Sequence, residues 1–175
     1  MSTVHPLGIV ACQPLTAQAF APYGKVLNLL APAHQSINHG TSGRLNLPGG
    51  LDLAGDQGRA VLAVFHALAQ NPEGPCHMLE RHQRGSQTFV PLTGARCRLL
   101  VALGHDQPDL GTLHCFEVTG QQGFTLHKGI WHHPLMALDD GSFLVLERRG
   151  PTEDCEIHSL PVSVRLSPFE AARMG

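Results

Sequence analysis

What this sequence lacks first is charge of one sign. Twelve Lys and Arg stand against 14 Asp and Glu, the formal charge is −2, and no run of like charges occurs. A nucleic-acid surface as the main business of the chain is therefore excluded. No apolar run has the length needed to span a bilayer, and the start MSTVHPLGIV lacks the basic, then apolar, then small-residue order of a signal peptide. A soluble, cytoplasmic protein with no membrane partner is expected. Cys12, Cys76, Cys97, Cys115 and Cys155 form no CxxC pair and are odd in number, so free thiols in a reducing compartment are the simpler reading. Cys97 and Cys115 lie in apolar runs and read as small core residues. No GxSxG, P-loop or dinucleotide fingerprint is present, and no organic cofactor is expected.

The length of 175 residues suits a single domain over 1–175. Near the start, Thr16 reads as the N-cap of a short helix that Gly24 ends, and Lys25 to Leu30 as a strand. From Ala31 to Gly58 the chain is rich in Gly, Pro, Asn and Asp and has little periodicity, which predicts a long irregular connection. Asn38 and Arg44 within it are candidate substrate contacts, and a plain solvated loop explains them as well. Ala60 to Ala67 reads as a strand. Short runs then recur between Gly, Pro and Asp: 78–82, 87–90, 96–103, 112–118, 123–127, 132–137, 143–147 and 155–159. That spacing predicts an all-β antiparallel sandwich or barrel. Ser167-Pro168-Phe169-Glu170 has the form of a capping box, so a helix over Ser167 to Met174 is expected.

The chemistry concentrates in ERHQRGSQTFVPLTG, from Glu80 to Gly94. On an extended arm Glu80 and His82 project from one face and Arg81 from the other. A turn at Arg84-Gly85-Ser86 brings Gln87 back near His82. Some forty residues on, HKGIWHHP, His127 to Pro134, adds more imidazole beside a glycine turn. Glu80, His82, Gln87 and His132 can supply two imidazole nitrogens, a carboxylate oxygen and an amide oxygen to one divalent ion. Such a set suits nickel, manganese, iron or cobalt as readily as zinc. A hydrogen-bonded cluster in which His82 and His132 act directly on a substrate accounts for the same residues. His127 is placed at the mouth of this pocket, Lys128 beside it as a cation for an anionic substrate, and Trp131 as a packed wall residue in contact with the substrate. Alternation sends His133 to the face opposite His132.

These residues carry a resemblance. Glu80, His82, Gln87 and Gly94 are spaced as in the first cupin motif, with Glu80 where a histidine is usual and Gln87 where a glutamate is usual. HKGIWH resembles the second, with His127 in place of its proline. A closer match is to the bacterial ureidoglycolate lyase family, through AFAPYG (Ala19 to Gly24), INHG with Arg44 downstream, LERHQRGSQTFVPLTG, VALGHDQPDLGTL and HKGIWHHPL. The resemblance implies a cupin-like antiparallel β-barrel or jelly roll with short flanking helices. It also implies a cytoplasmic homodimer of allantoin breakdown that splits (S)-ureidoglycolate into glyoxylate and urea. The substrate is a carbinolamide, so its cleavage needs a base, an acid and a carboxylate anchor. Glu80, His82, His132 and His127 are the expected catalytic groups, and Asn38, Arg44, Lys128 and Trp131 the expected substrate contacts. A divalent metal, nickel by the resemblance with manganese or zinc as alternatives, would sit on Glu80, His82, Gln87 and His132. A cupin that senses a small carboxylate without turnover and a metal-dependent cupin oxygenase are the competing readings.

Overall fold

The computed structural model describes residues 8–168. The chain opens with β1 (Ile9–Pro14), α1 (Ala17–Phe20) and β2 (Gly24–Asn28). After these come β3 (Gln35–Ile37), β4 (Ser42–Arg44), β5 (Arg59–Ala67), β6 (Cys76–His82), β7 (Gln87–Pro91) and β8 (Cys97–Ala102). The remainder is β9 (His114–Val118), β10 (Gln122–Leu126), β11 (Trp131–His132), β12 (Met136–Ala137), β13 (Gly141–Arg149) and β14 (Cys155–Ser167). The protein is all-β in the manner of a cupin-like sandwich. The predicted N-cap is in place, since the Thr16 hydroxyl accepts from the Ala19 amide at 3.2 Å.

Two sheets make the body. Strands β2-β10-β7-β13-β5 form one, and β11-β6-β14-β1-β9-β8-β12 the other. In the larger sheet β11 pairs with both β6 and β8, which joins six of its strands into a hydrogen-bonded ring. Pairings are antiparallel except those of β1, which runs parallel to β14 with its first half and to β9 with its second. The irregular connection before β5 holds a third, two-stranded sheet of β3 and β4.

Period-2 alternation divides the buried side chains into two clusters. Cys97, Leu99 and Val101 of β8 face the smaller sheet, where Phe89, Phe124 and Val145 meet them. Leu100 and Ala102 face the other way, toward Leu79, Trp131, Val164 and Leu166. Gly24 is needed where β2 meets β10, because a Cβ there would lie 1.9 Å from the Thr125 carbonyl oxygen.

One expectation is corrected. The cysteines are not all free: Cys12 and Cys115 are bonded, because the parallel register of β1 on β9 sets them opposite each other with Cα atoms 4.5 Å apart. Cys76, Cys97 and Cys155 are free. Ser167, the expected N-cap of that helix, ends β14, whose 13 residues pass a register shift between Ser159 and Val164. The remainder of the expected helix, 169–174, lies outside the described residues.

Candidate active site

Strand β6 separates structure from chemistry by alternation. Leu79 and Arg81 turn into the ring cluster, while Glu80 and His82 turn toward the smaller sheet. Arg81 is buried at 7 % exposure. Its Nε and Nη2 donate to Glu156 Oε2 at 2.9 and 2.7 Å, its Nη1 donates to the His105 carbonyl, and its guanidinium lies 4.3 Å over the Trp131 ring.

The second imidazole arrives through a turn anchored to β6. The Gly129 amide donates to the His82 carbonyl at 2.7 Å, and Gly129 has φ +81°, a conformation that L side chains rarely adopt. The chain then enters β11 with His132 directly opposite Glu80. His132 Nδ1 donates to the Ile130 carbonyl at 2.9 Å. A carbonyl only accepts, so the Nδ1 proton is fixed and Nε2 is left to face Glu80 Oε1 at 3.6 Å.

One ligand atom each from Glu80, His82 and His132 lies within 4.8 Å of the others, close to the span of ligands about 2.0–2.2 Å from one ion. The first residue of β7, Gln87, lines the same cavity as Glu80 and His132. Gln87 is buried, and its Nε2 donates to Glu147 Oε2 at 3.0 Å. His82 Nε2, Gln87 Oε1 and His132 Nε2 are buried without a hydrogen-bond partner. Leaving three such acceptor or donor atoms unsatisfied costs about 1–3 kcal/mol each. A carboxylate oxygen 3.6 Å from an imidazole nitrogen is favourable only with a proton or a cation between them. The donor set thus fits a divalent cation.

The electrostatics follow the packing. The Glu80 carboxyl is held below the ordinary range, chiefly by His132 and against the effect of burial, with further help from His82 and the Cys155 thiol. That thiol stands 3.6 Å from Glu80 Oε2 and, pushed up to about 11 by burial and by Glu80, remains a proton donor to it. Burial lowers the His82 pKa, assisted by His132 and opposed by Glu80, Asp154 and Glu147.

A cavity of about 80 Å³ opens on this cluster between the sheets. Glu80, Gln87, His132 and His133 line its polar end, and Phe89 and Phe124 its apolar end. His133 was expected on the opposite face, but β11 stops at His132, so strand alternation no longer governs the next residue. Burial disfavours its charged form, and its Nδ1 donates to the Pro134 carbonyl at 2.9 Å, leaving Nε2 free.

Trp131 moves the other way. Alternation within β11 turns it from the cavity into the ring cluster, buried at 2 % exposure beneath Arg81, and it is no wall of this pocket. The remaining expected contacts are not brought to the cluster. The side chains of Asn38 and Arg44 bond within their own exposed segment, to Ser42 and Asn46. Lys128 is paired with Asp52 at 3.3 Å, and His127 is fixed by its backbone to the Tyr23 carbonyl without lining the cavity. Sequence reasoning missed His133, Glu147 and Cys155. Only the doubled histidine of HKGIWHHP gave a local signal; Glu147 and Cys155 reach the site through the cross-strand registers Glu147 on Gln87 and Cys155 on His82.

Two sheets enclosing a His-His-Glu cluster, with Gln87 lining the same cavity, are compatible with a cupin-like fold. The profile of the ureidoglycolate lyase family matches residues 7–167. The chain is 36 % identical over 155 residues to a ureidoglycolate lyase of Pseudomonas fluorescens (strain Pf0-1), covering 88 % of this chain and 93 % of that protein. It is also 36 % identical over 150 residues to a ureidoglycolate lyase of Pseudomonas entomophila (strain L48), covering 85 % and 90 %. The chain belongs to the ureidoglycolate lyase family.

Proposed function

We propose that this chain cleaves (S)-ureidoglycolate to glyoxylate and urea in the cavity between its two sheets. The observation that carries the reading is the cluster of Glu80, His82 and His132 with unpartnered buried atoms on His82, Gln87 and His132, found in a chain of this family. Those four residues would hold a divalent ion, nickel or manganese in preference to a thiolate-loving metal, since three nitrogen or carboxylate donors and one amide oxygen are offered. When bound, the ion supplies charge to anchor the substrate carboxylate and to acidify the neighbouring hydroxyl. Of the cations nearby, Lys128 is paired with Asp52, Arg44 bonds within its own segment, and Arg98, which lines the cavity, donates to the Pro72 carbonyl and stands 3.8 Å from Glu117.

His133 is the group we assign to the proton. Its imidazole is kept neutral by burial, with Nδ1 committed to Pro134 and Nε2 free. Nε2 takes the hydroxyl proton as the carbon–oxygen bond becomes a carbonyl, and returns it to the ureido nitrogen as the C–N bond breaks. One proton moves, one bond breaks, and no water is consumed. The apolar end around Phe89 and Phe124 keeps water from the reacting carbon.

A homodimer is part of the same reading. Strand β5 is a nine-residue sheet edge with Leu62 and Val64 exposed on its outer face, a surface that a second copy would cover. The test of the reaction is product analysis on purified protein: equal glyoxylate and urea support it, and ammonia in place of urea sinks it.

A further inference from the structure

A glutamine amide is ambiguous as a ligand, since one end accepts and the other donates. At Gln87 the ambiguity is removed by a neighbour on another strand. Glu147 of β13 lies in register with Gln87 of β7, and its Oε2 accepts from Gln87 Nε2 at 3.0 Å. A carboxylate can only accept, so turning the amide over would set two oxygens against each other and point an NH₂ group into the cluster. With the amide held this way, Gln87 Oε1 is buried without a partner on the cavity shared with Glu80 and His132.

We propose that Glu147 is a positioning residue, which locks the Gln87 amide with its oxygen toward His82 and His132 and so makes a neutral side chain the fourth donor. The metal part of this inference rests on the proposed cation site; the orientation of the amide does not. Glu147 does for Gln87 what the Ile130 carbonyl does for His132, fixing one polar atom so that the other is presented. The lock also makes the pair interchangeable. Exchanging the two residues puts the carboxylate in the cluster and the amide outside it, with the same hydrogen bond reversed in polarity.

The test uses full-length Glu147→Leu, Glu147→Gln, Gln87→Glu and the exchanged double variant Gln87→Glu/Glu147→Gln. Two quantities are read: Ni²⁺ affinity by titration calorimetry, and hydrogen-exchange protection of the Gln87 side-chain NH₂ by NMR, assigned by its loss in Gln87→Glu. Glu147→Leu is expected to lose the NH₂ protection and to weaken Ni²⁺ binding about 10–100-fold, the usual effect of removing an outer-shell partner. Glu147→Gln, whose amide oxygen still accepts, keeps both near wild type. The exchanged variant binds Ni²⁺ more tightly than wild type and more tightly than Gln87→Glu alone, in which two carboxylates face each other. Glu147→Leu with wild-type Ni²⁺ affinity and protection overturns the proposal. If that variant does not fold, the exchanged variant decides, and weaker binding than wild type overturns it. If the wild type takes up no Ni²⁺, the cation reading fails by itself. Amide protection in wild type and Glu147→Gln then still supports the lock, and its absence overturns it.

Discussion

Arg81→Ala separates the two faces of β6, one structural and one chemical. Arg81 donates to Glu156 and to the His105 carbonyl and stacks on Trp131, all on the side away from Glu80 and His82. Glu156 keeps 46 % of its side chain exposed and rehydrates when Arg81 is removed, so the ion pair itself contributes little. The loss comes from the buried cation–π contact, about 2 kcal/mol, and from the His105 carbonyl and the apolar stem left unpacked, about 1 kcal/mol more. A total of about 3 kcal/mol lowers Tm by roughly 6–12 °C in a chain of this size. Thermal unfolding and urea titration measure the loss, and kcat per folded molecule should stay near wild type. A stable Arg81→Ala protein with turnover reduced tenfold or more would refute the assignment of faces.

Other outcomes follow from the same geometry. His132→Ala and His133→Ala should each lower kcat by about 10²–10⁴-fold. Only His132→Ala should also reduce bound metal, and His127→Ala should alter neither, as steady-state kinetics with elemental analysis will show. Thiol titration of the denatured, unreduced protein should find three reactive cysteines, Cys76, Cys97 and Cys155, and five after reduction; five before reduction would remove the Cys12–Cys115 bond from the account. Arg96 holds the exposed Asp139 carboxyl down at about 2, by its side chain first and its backbone amide next. A depressed carboxyl adds stability above its unfolded pKa and loses it as pH falls through the folded one. Acid unfolding of wild type should therefore carry a small component between about pH 4 and 2 that is reduced in Arg96→Gln, where only the backbone amide still holds Asp139.

Much of the site was legible because strand alternation is a local rule. It put Glu80 with His82 and turned Arg81 away, and the length of the turn brought Gln87 back beside them. The same rule failed at His133, where β11 is only two residues long, and its consequence for Trp131 went unused: a residue next to His132 on one strand cannot share its pocket. Long-range register was not legible. Nothing near Glu147 in the sequence says that it faces Gln87, nothing near Cys155 says that it faces His82, and a parallel β1–β9 pair that opposes Cys12 to Cys115 has no local signature. The all-β class was readable from short runs broken by Gly, Pro and Asp. The ring closure through β11 was not, since it depends on which two strands a two-residue segment bridges.

The central claim is that Glu80, His82, Gln87 and His132 form a cation site on which cleavage of ureidoglycolate depends. Turnover of (S)-ureidoglycolate by protein stripped with a chelator and shown by elemental analysis to be metal-free tests it most directly. The account predicts that stripping removes activity, because three buried ligand atoms are left unsatisfied and the substrate carboxylate loses its anchor, and that Ni²⁺ or Mn²⁺ restores it. Full activity in the metal-free protein would contradict it.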